Sequence, residues 1–260
     1  MQIDIRTIVI GCPEGPWSAG QKDDAPRELA SFYAELLGMR IIREDWLVIA
    51  KDENSVPRLA FDEPSGDPPP RWPDPEHPQQ VHLDITVDDL STSEELVLRL
   101  GAKRLQDEGE YRLYVDPAGH PFCLYRDAAE GGGETGRPGP GRIDRVVFDC
   151  FSPRALASFY QELLGMRRRE QDSPQRVVIA RADGGPPMLA FQHAPQYKPP
   201  RWPNRKYPQQ IHLDLDVEDG DAAQELAEGL GAIRLADMGG SCPVYADPAA
   251  HPFCLCSPDQ

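Results

Sequence analysis

Basic residues are scarce in this chain of 260 residues: 27 Lys and Arg stand against 43 Asp and Glu, a formal net charge of −16 at neutral pH. Such a surface repels phosphate backbones and anionic headgroups, and the few cations form no run or stripe, so no nucleic acid or membrane is expected as a partner. Long apolar runs are missing as well. Those present, such as Ile8 to Ile10 and Val177 to Ala180, are strand-sized, against the roughly 20 residues of a membrane-spanning helix. The opening MQIDIRTIVIGCPEG has no basic stretch followed by an apolar one and a small-residue cleavage site, so a soluble, cytoplasmic chain is expected. Cysteine is sparse: six residues without a CxxC pair exclude a disulfide scaffold and a zinc knuckle and make reduced thiols the expectation. No GxSxG, HExxH, Walker-type or EF-hand spacing occurs.

Proline, by contrast, is abundant: 28 residues, about twice the ~5% that is usual. The prolines concentrate in two loops that expose an internal repeat. ASFYAELLGMR (Ala30 to Arg40) returns as ASFYQELLGMR (Ala157 to Arg167), PPRWP with PQQVHLD (Pro69 to Asp84) as PPRWP with PQQIHLD (Pro199 to Asp214), and YVDPAGHPFCL (Tyr114 to Leu124) as YADPAAHPFCL (Tyr245 to Leu255). The offset drifts from 138 at Cys12/Cys150 to 127 at Phe32/Phe159 and 131 at His120/His251; the largest insertion, 11 residues around Glu14 to Asp24, carries Trp17. The Gly-rich stretch from Ala128 to Gly141 has the composition of a flexible tether, so the expected organisation is a domain at 1–127, a linker at 128–141 and a domain at 142–260.

Within each copy an apolar run (Ile5 to Ile10; Val146 to Phe148) reads as a strand. Leu29, Phe32, Tyr33, Leu36 and Leu37 then recur at the spacing of one helix face. Pro26 and Pro153 suit the first turn, Ser152 suits an N-cap, and Gly38 and Gly165 suit the stop. Three short strands follow, then the proline loop. After it come a strand of clean alternation at Val81 to Val87, a helix on Ser93, Leu96, Val97 and Leu100 ended by Gly101, and three closing strands. Each copy thus predicts βαβββ twice, an α+β chain of four modules.

These motifs resemble the vicinal oxygen chelate (VOC) superfamily, the glyoxalase and bleomycin-resistance fold, and in particular glyoxalase-like domains carrying a Pro-Trp-Pro loop and a PQQxHLD strand. The resemblance implies tandem domains whose paired modules form curved sheets enclosing clefts for a small organic ligand, in a monomeric pseudo-dimer; the tryptophan loops make an aromatic ligand the expectation. Whether modules pair within or across the copies stays open. In the family a divalent metal takes one ligand from the first and one from the last strand of each module. Carried over, those positions fall near Arg6, Leu59, His82 and Cys123, and near Arg145, Leu189, His212 and Cys254. Only the histidines match, since a guanidinium and a leucine cannot coordinate a cation, so no standard metal centre and no cofactor are expected.

A non-standard divalent metal stays open. His82, Asp84 and Thr86 share one face of their strand, and Cys123 as thiolate would favour zinc. The alternative is that this face is the wet side of a half-buried strand. The candidate cleft residues are therefore His82, Asp84, Trp72 and Cys123, with His212, Asp214, Trp202 and Cys254. His82 and His212 are the candidates for catalysis or for holding a metal. Trp72 and Trp202 have two open roles, stacking on a planar ligand or plugging a seam between modules. His120 and His251, in DPAGH and DPAAH turns, are expected to face water, and Ala250 is tolerable there only if its φ is negative. Two functions follow as expectations: a metal-free ligand-sequestering protein, or a divalent-metal lyase, isomerase or oxygenase built on His82 or His212.

Overall fold

The computed structural model describes the chain except residues 1, 14–24, 63–68, 73, 75, 78, 128–139, 202–203, 205–209, 236–241 and 258–260. The Trp17 insertion, Trp202 and most of the tether lie outside the described residues. Four modules follow one another. The first holds β1 (Ile3–Ile10), α1 (Ala25–Leu37), β2 (Arg40–Arg43), β3 (Leu47–Ala50) and β4 (Arg58–Phe61). The second holds β5 (Val81–Val87), α2 (Leu90–Arg99), β6 (Lys103–Asp107), β7 (Tyr111–Val115) and β8 (Pro121–Arg126). The third holds β9 (Arg142–Cys150), α3 (Pro153–Leu164), β10 (Arg167–Asp172), β11 (Arg176–Ala180) and β12 (Met188–His193). The fourth holds β13 (Ile211–Val217), α4 (Gly220–Gly229), β14 (Ile233–Arg234), β15 (Val244–Ala246) and β16 (Pro252–Cys256).

The helices form where the periodicity places them. Leu29, Phe32, Tyr33, Leu36 and Leu37 bury one face of α1 against β3 and β4, each large side chain contributing about 1.5–3 kcal/mol. Gly38 and Gly165 end α1 and α3 at φ 61° and 64°, a left-handed conformation that glycine adopts without strain. Asp89 and Asp219 cap α2 and α4, their carboxylates accepting from the Thr92 and Ala222 amides. Ser152 does occupy the N-cap of α3, without a side-chain capping bond.

Modules pair across the two copies. The first sheet runs β14-β15-β16-β13-β1-β4-β3-β2 and the second β10-β11-β12-β9-β5-β8-β7-β6. Both seams, β1·β13 and β5·β9, are antiparallel ladders between strands of different copies. The helices cover one face of each sheet, and one core cluster takes side chains from all four modules. The opposite faces carry small apolar patches: Val9, Val48 and Ala60 on the first sheet, Val147, Val178 and Ala190 on the second.

Three expectations are corrected. His120 and His251 do not face water: they are 1% and 0% exposed, and each lays Nδ1 3.1 Å from a carboxylate oxygen of Asp116 or Asp247. Tyr33 and Tyr160 donate to the same carboxylates at 3.0 Å, so each DPAxH turn is bolted to the first helix of its own copy. Ala250 lies at φ 72°, the strained left-handed region. The thiols are not all reduced, because Cys242 and Cys256 form a disulfide. They face one another across the antiparallel β15·β16 hairpin, one step beyond the Val244–Cys254 pair.

Candidate functional site

β5 and β13 set the two candidate sites. Alternation puts His82 and Asp84, and likewise His212 and Asp214, on the face away from the helices. Asp84 pairs in register with Cys123 on β8 and Arg145 on β9; Asp214 pairs with Cys254 on β16 and Thr7 on β1. In each sheet one His nitrogen, one carboxylate oxygen and one sulfur lie within 4.8 Å of one another. His82 Nε2 is 3.4 Å from Asp84 Oδ1, and His212 Nε2 is 3.4 Å from Asp214 Oδ1. The wet-face alternative is ruled out, since all six residues are buried. Burial pulls both imidazoles down, but the neighbouring carboxylate and thiol push them up further, His82 to about 10 and His212 well above its ordinary value. Burial also raises the Cys254 thiol.

The surroundings of the two clusters differ. In the second sheet Asp84 is fully buried, and its Oδ2 accepts from Arg176 Nη2 at 3.0 Å and lies 3.7 Å from Arg145 Nη1. Arg176 also donates to Gln192 Oε1 at 3.0 Å, while Gln192 and Gln79 donate to Asp149, so a continuous polar network runs across this cleft face. By register, the first-sheet counterparts of Arg145, Arg176, Gln192 and Met188 are Thr7, Trp46, Asp62 and Arg58. Asp214 therefore has no guanidinium within 4.0 Å among the described residues. Trp46 hydrogen-bonds Asp62, and burial raises the Asp62 carboxyl.

These substitutions open a cavity of about 330 Å³ on the first sheet, lined by Arg6, Arg43, Arg58, Trp46 and Asp214 with an aliphatic wall of Ile42 and Val48. The Arg43 guanidinium lies 5.9 Å from the Trp46 ring centre. Trp46, Arg58 and Arg176 escaped the sequence analysis. The signal was present in the alignment of the copies, where WLVIA and RVVIA, or RLAF and MLAF, differ at positions that look into the clefts.

Other predicted positions are redistributed. Arg6 sits at a register shift in β1 and donates to Asp216 at 3.0 Å, so Thr7, not Arg6, is the counterpart of Arg145. Leu59 and Leu189 are fully buried on the helix-facing side, and Ala60 and Ala190 take the cleft face in their place. Cross-copy pairing also moves Arg145 from the company of His212 to that of His82. Trp72 is half-buried in a loop whose Pro70 carbonyl lies against Gly119, and no described contact joins it to His82.

The profile of the glyoxalase-like domain matches residues 22–125 and 145–256. The chain belongs to this glyoxalase-like domain family, within the VOC superfamily. A point mutant of glyoxalase I from Zea mays superposes with a TM-score of 0.65 at 15% identity, over 98% of this chain and 94% of that one. Glyoxalase I from Zea mays superposes at 0.63 with 17% identity, over 98% and 92%. No curated protein matches the chain in sequence.

The tandem glyoxalase-like fold implies a divalent metal, and the donor sets can be tested against it. The four-ligand centre fits neither sheet, because the modules of β1 and β9 offer valine, alanine, threonine or arginine where ligands are needed. In the second sheet a cation at Asp84 would meet two guanidiniums as well. The first-sheet trio His212, Asp214 and Cys254 has nitrogen, oxygen and sulfur donors of the kinds that bind a zinc-like cation. Holding it requires a neutral imidazole and a thiolate, so two protons must leave. His82 Nδ1 and His212 Nδ1 are buried without a hydrogen-bond partner, whereas a ligating histidine almost always anchors its second nitrogen.

Proposed function

We propose that the chain is a small-molecule-binding glyoxalase-like protein whose working cleft is the one on the first sheet, and that it has no standard metal centre. The carrying observation is the cavity of about 330 Å³ beside Trp46, a volume within the ~300–1,000 Å³ of ligand pockets. An indole fixed by a hydrogen bond to Asp62 and walled by Ile42 and Val48 suits a planar, aromatic ligand. The second cleft, with Asp84 held by Arg145 and Arg176, serves as a structural counterpart. The test is calorimetric titration of a panel of small aromatic compounds into the wild type and Trp46→Ala. Saturable binding weakened in the variant supports the reading, and an unaltered isotherm refutes it.

The buried donor trio favours a second reading, a divalent-metal lyase, isomerase or oxygenase on His212, with Asp214 and Cys254. Metal analysis of protein purified without chelators, beside His212→Ala, separates the two. A metal in near-stoichiometric amount that is lost in the variant favours the enzyme; no metal after incubation with zinc, iron, manganese and nickel favours the binding protein.

A further inference from the structure

Three guanidiniums, those of Arg6, Arg43 and Arg58, line one cavity of a chain with net charge −16. Two of them are already engaged. Arg6 is bound to Asp216 at 3.0 Å, and Arg43 makes a fork with Asp45 at 2.7 and 2.9 Å. Arg58 differs. It has no carboxylate within 4.0 Å among the described residues; Nη2 donates to the Glu53 carbonyl at 2.7 Å, and Nε is buried without a partner. Half-exposed Arg58 thus lines the cavity with a charge that no described carboxylate neutralises, and an acidic ligand would find a charge-assisted partner there. The second sheet places Met188 at the equivalent position, so this cation is particular to the first-sheet cleft.

We infer that the first-sheet cleft is selective for a carboxylate-bearing aromatic molecule, its carboxylate anchored by Arg58 and its ring lying against Trp46, Ile42 and Val48. The inference rests on the ligand-binding role proposed for this cleft and names its substrate class. A guanidinium pairs with a carboxylate through charge-assisted bonds that a neutral amide cannot match. Ile42 and Trp46, packed on the patch of Val9, Val48 and Ala60, supply apolar surface for the ring together with Val48. Among the described residues the second sheet does not repeat this site, because it has Met188 for the anchor and Arg176 for the indole.

The test is isothermal titration of 2-naphthoate and its neutral isostere 2-naphthamide into the full chain, then into Arg58→Met and Arg58→Lys. The wild type is expected to bind one naphthoate per chain, at least about tenfold tighter than the amide. Arg58→Met is expected to erase that preference while leaving amide affinity within about twofold, and Arg58→Lys to retain part of it. An amide bound as tightly as the acid, or a preference that survives in Arg58→Met, overturns the carboxylate inference and leaves the cleft reading standing. Binding of neither compound overturns both. The acid and amide are compared on the wild type, so the outcome does not depend on either variant folding.

Discussion

Asp84 is fully buried and charged because its partners outweigh its desolvation. Burial pushes its carboxyl up, while His82, Arg176 and Arg145 bring it below the ordinary 3.8. A folded pKa below the unfolded one contributes stability that is present above 3.8 and is lost as the pH falls through the folded value. Arg176→Met removes the 3.0 Å partner and is expected to cost about 2 kcal/mol at neutral pH. That gap should close in strong acid, where Asp84 is protonated in both proteins. Urea unfolding of the two proteins across the acid range checks it, and a gap that persists at the lowest pH counts against the assignment. Arg58 presents the opposite case, a cation without a carboxylate among the described residues, which is why the ligand inference attaches to it. At this scale the alternation of β5 put His82 and Asp84 on one face, and the register sets Cys123, a candidate from another strand, beside Asp84. The sequence could not show their burial, because alternation in a strand distinguishes two faces without saying what covers each.

Two elements differ between the copies in ways that predict stability. The DPAGH turn has Gly119 at φ 97°, where a Cβ would meet the Pro70 carbonyl oxygen at 3.2 Å; the DPAAH turn has Ala250 at φ 72°. Ala250→Gly should therefore raise stability by about 1 kcal/mol and Gly119→Ala lower it by at least as much. Thermal melts of the two variants check the pair of opposite signs. The second contrast is the pair at the end of each closing hairpin. Tyr111 and Tyr125 stack at 5.1 Å in the second sheet, and Cys242 and Cys256 are bonded in the first. A bond closing a loop of 14 residues contributes about 3 kcal/mol in the chain-entropy account. Reduction should lower the unfolding midpoint of the wild type and leave a Cys242→Ser/Cys256→Ser double variant unchanged; equal melts with and without reductant would refute it.

At the scale of the molecule, each sheet is completed by strands of both copies. A half chain ending near residue 127 keeps β1 and β5 but loses β13 and β9, the partners that cover their inner edges. Open edges of apolar strands pair with other chains. The isolated half is expected to dimerise or aggregate, and a stable monomer in size exclusion and sedimentation would contradict the cross-copy seams. The intact chain satisfies those edges internally and is expected to run at 28.9 kDa. A mass of twice that value would instead place a second chain against it.

The periodicity of Leu29 to Leu37, the alternation of Val81 to Val87 and the glycine stops sufficed for the four modules and for which residues share a face. Those features are local, set by backbone geometry over one or two turns or a few strand residues. Which module lies beside which was not legible in the chain, because β1 meets β13 and β5 meets β9 through ladders whose side chains read as apolar whatever the partner. With that pairing went the company of each site residue: Arg145 with Asp84, Thr7 with Asp214, and the cavity behind Trp46 and Arg58. Charges brought together across a seam reveal themselves only when the seam is known. The copies share their strands and helices because those arise from short-range patterns. They differ in their clefts because a few positions, Trp46 against Arg176 and Arg58 against Met188, act through neighbours that only the folded chain supplies.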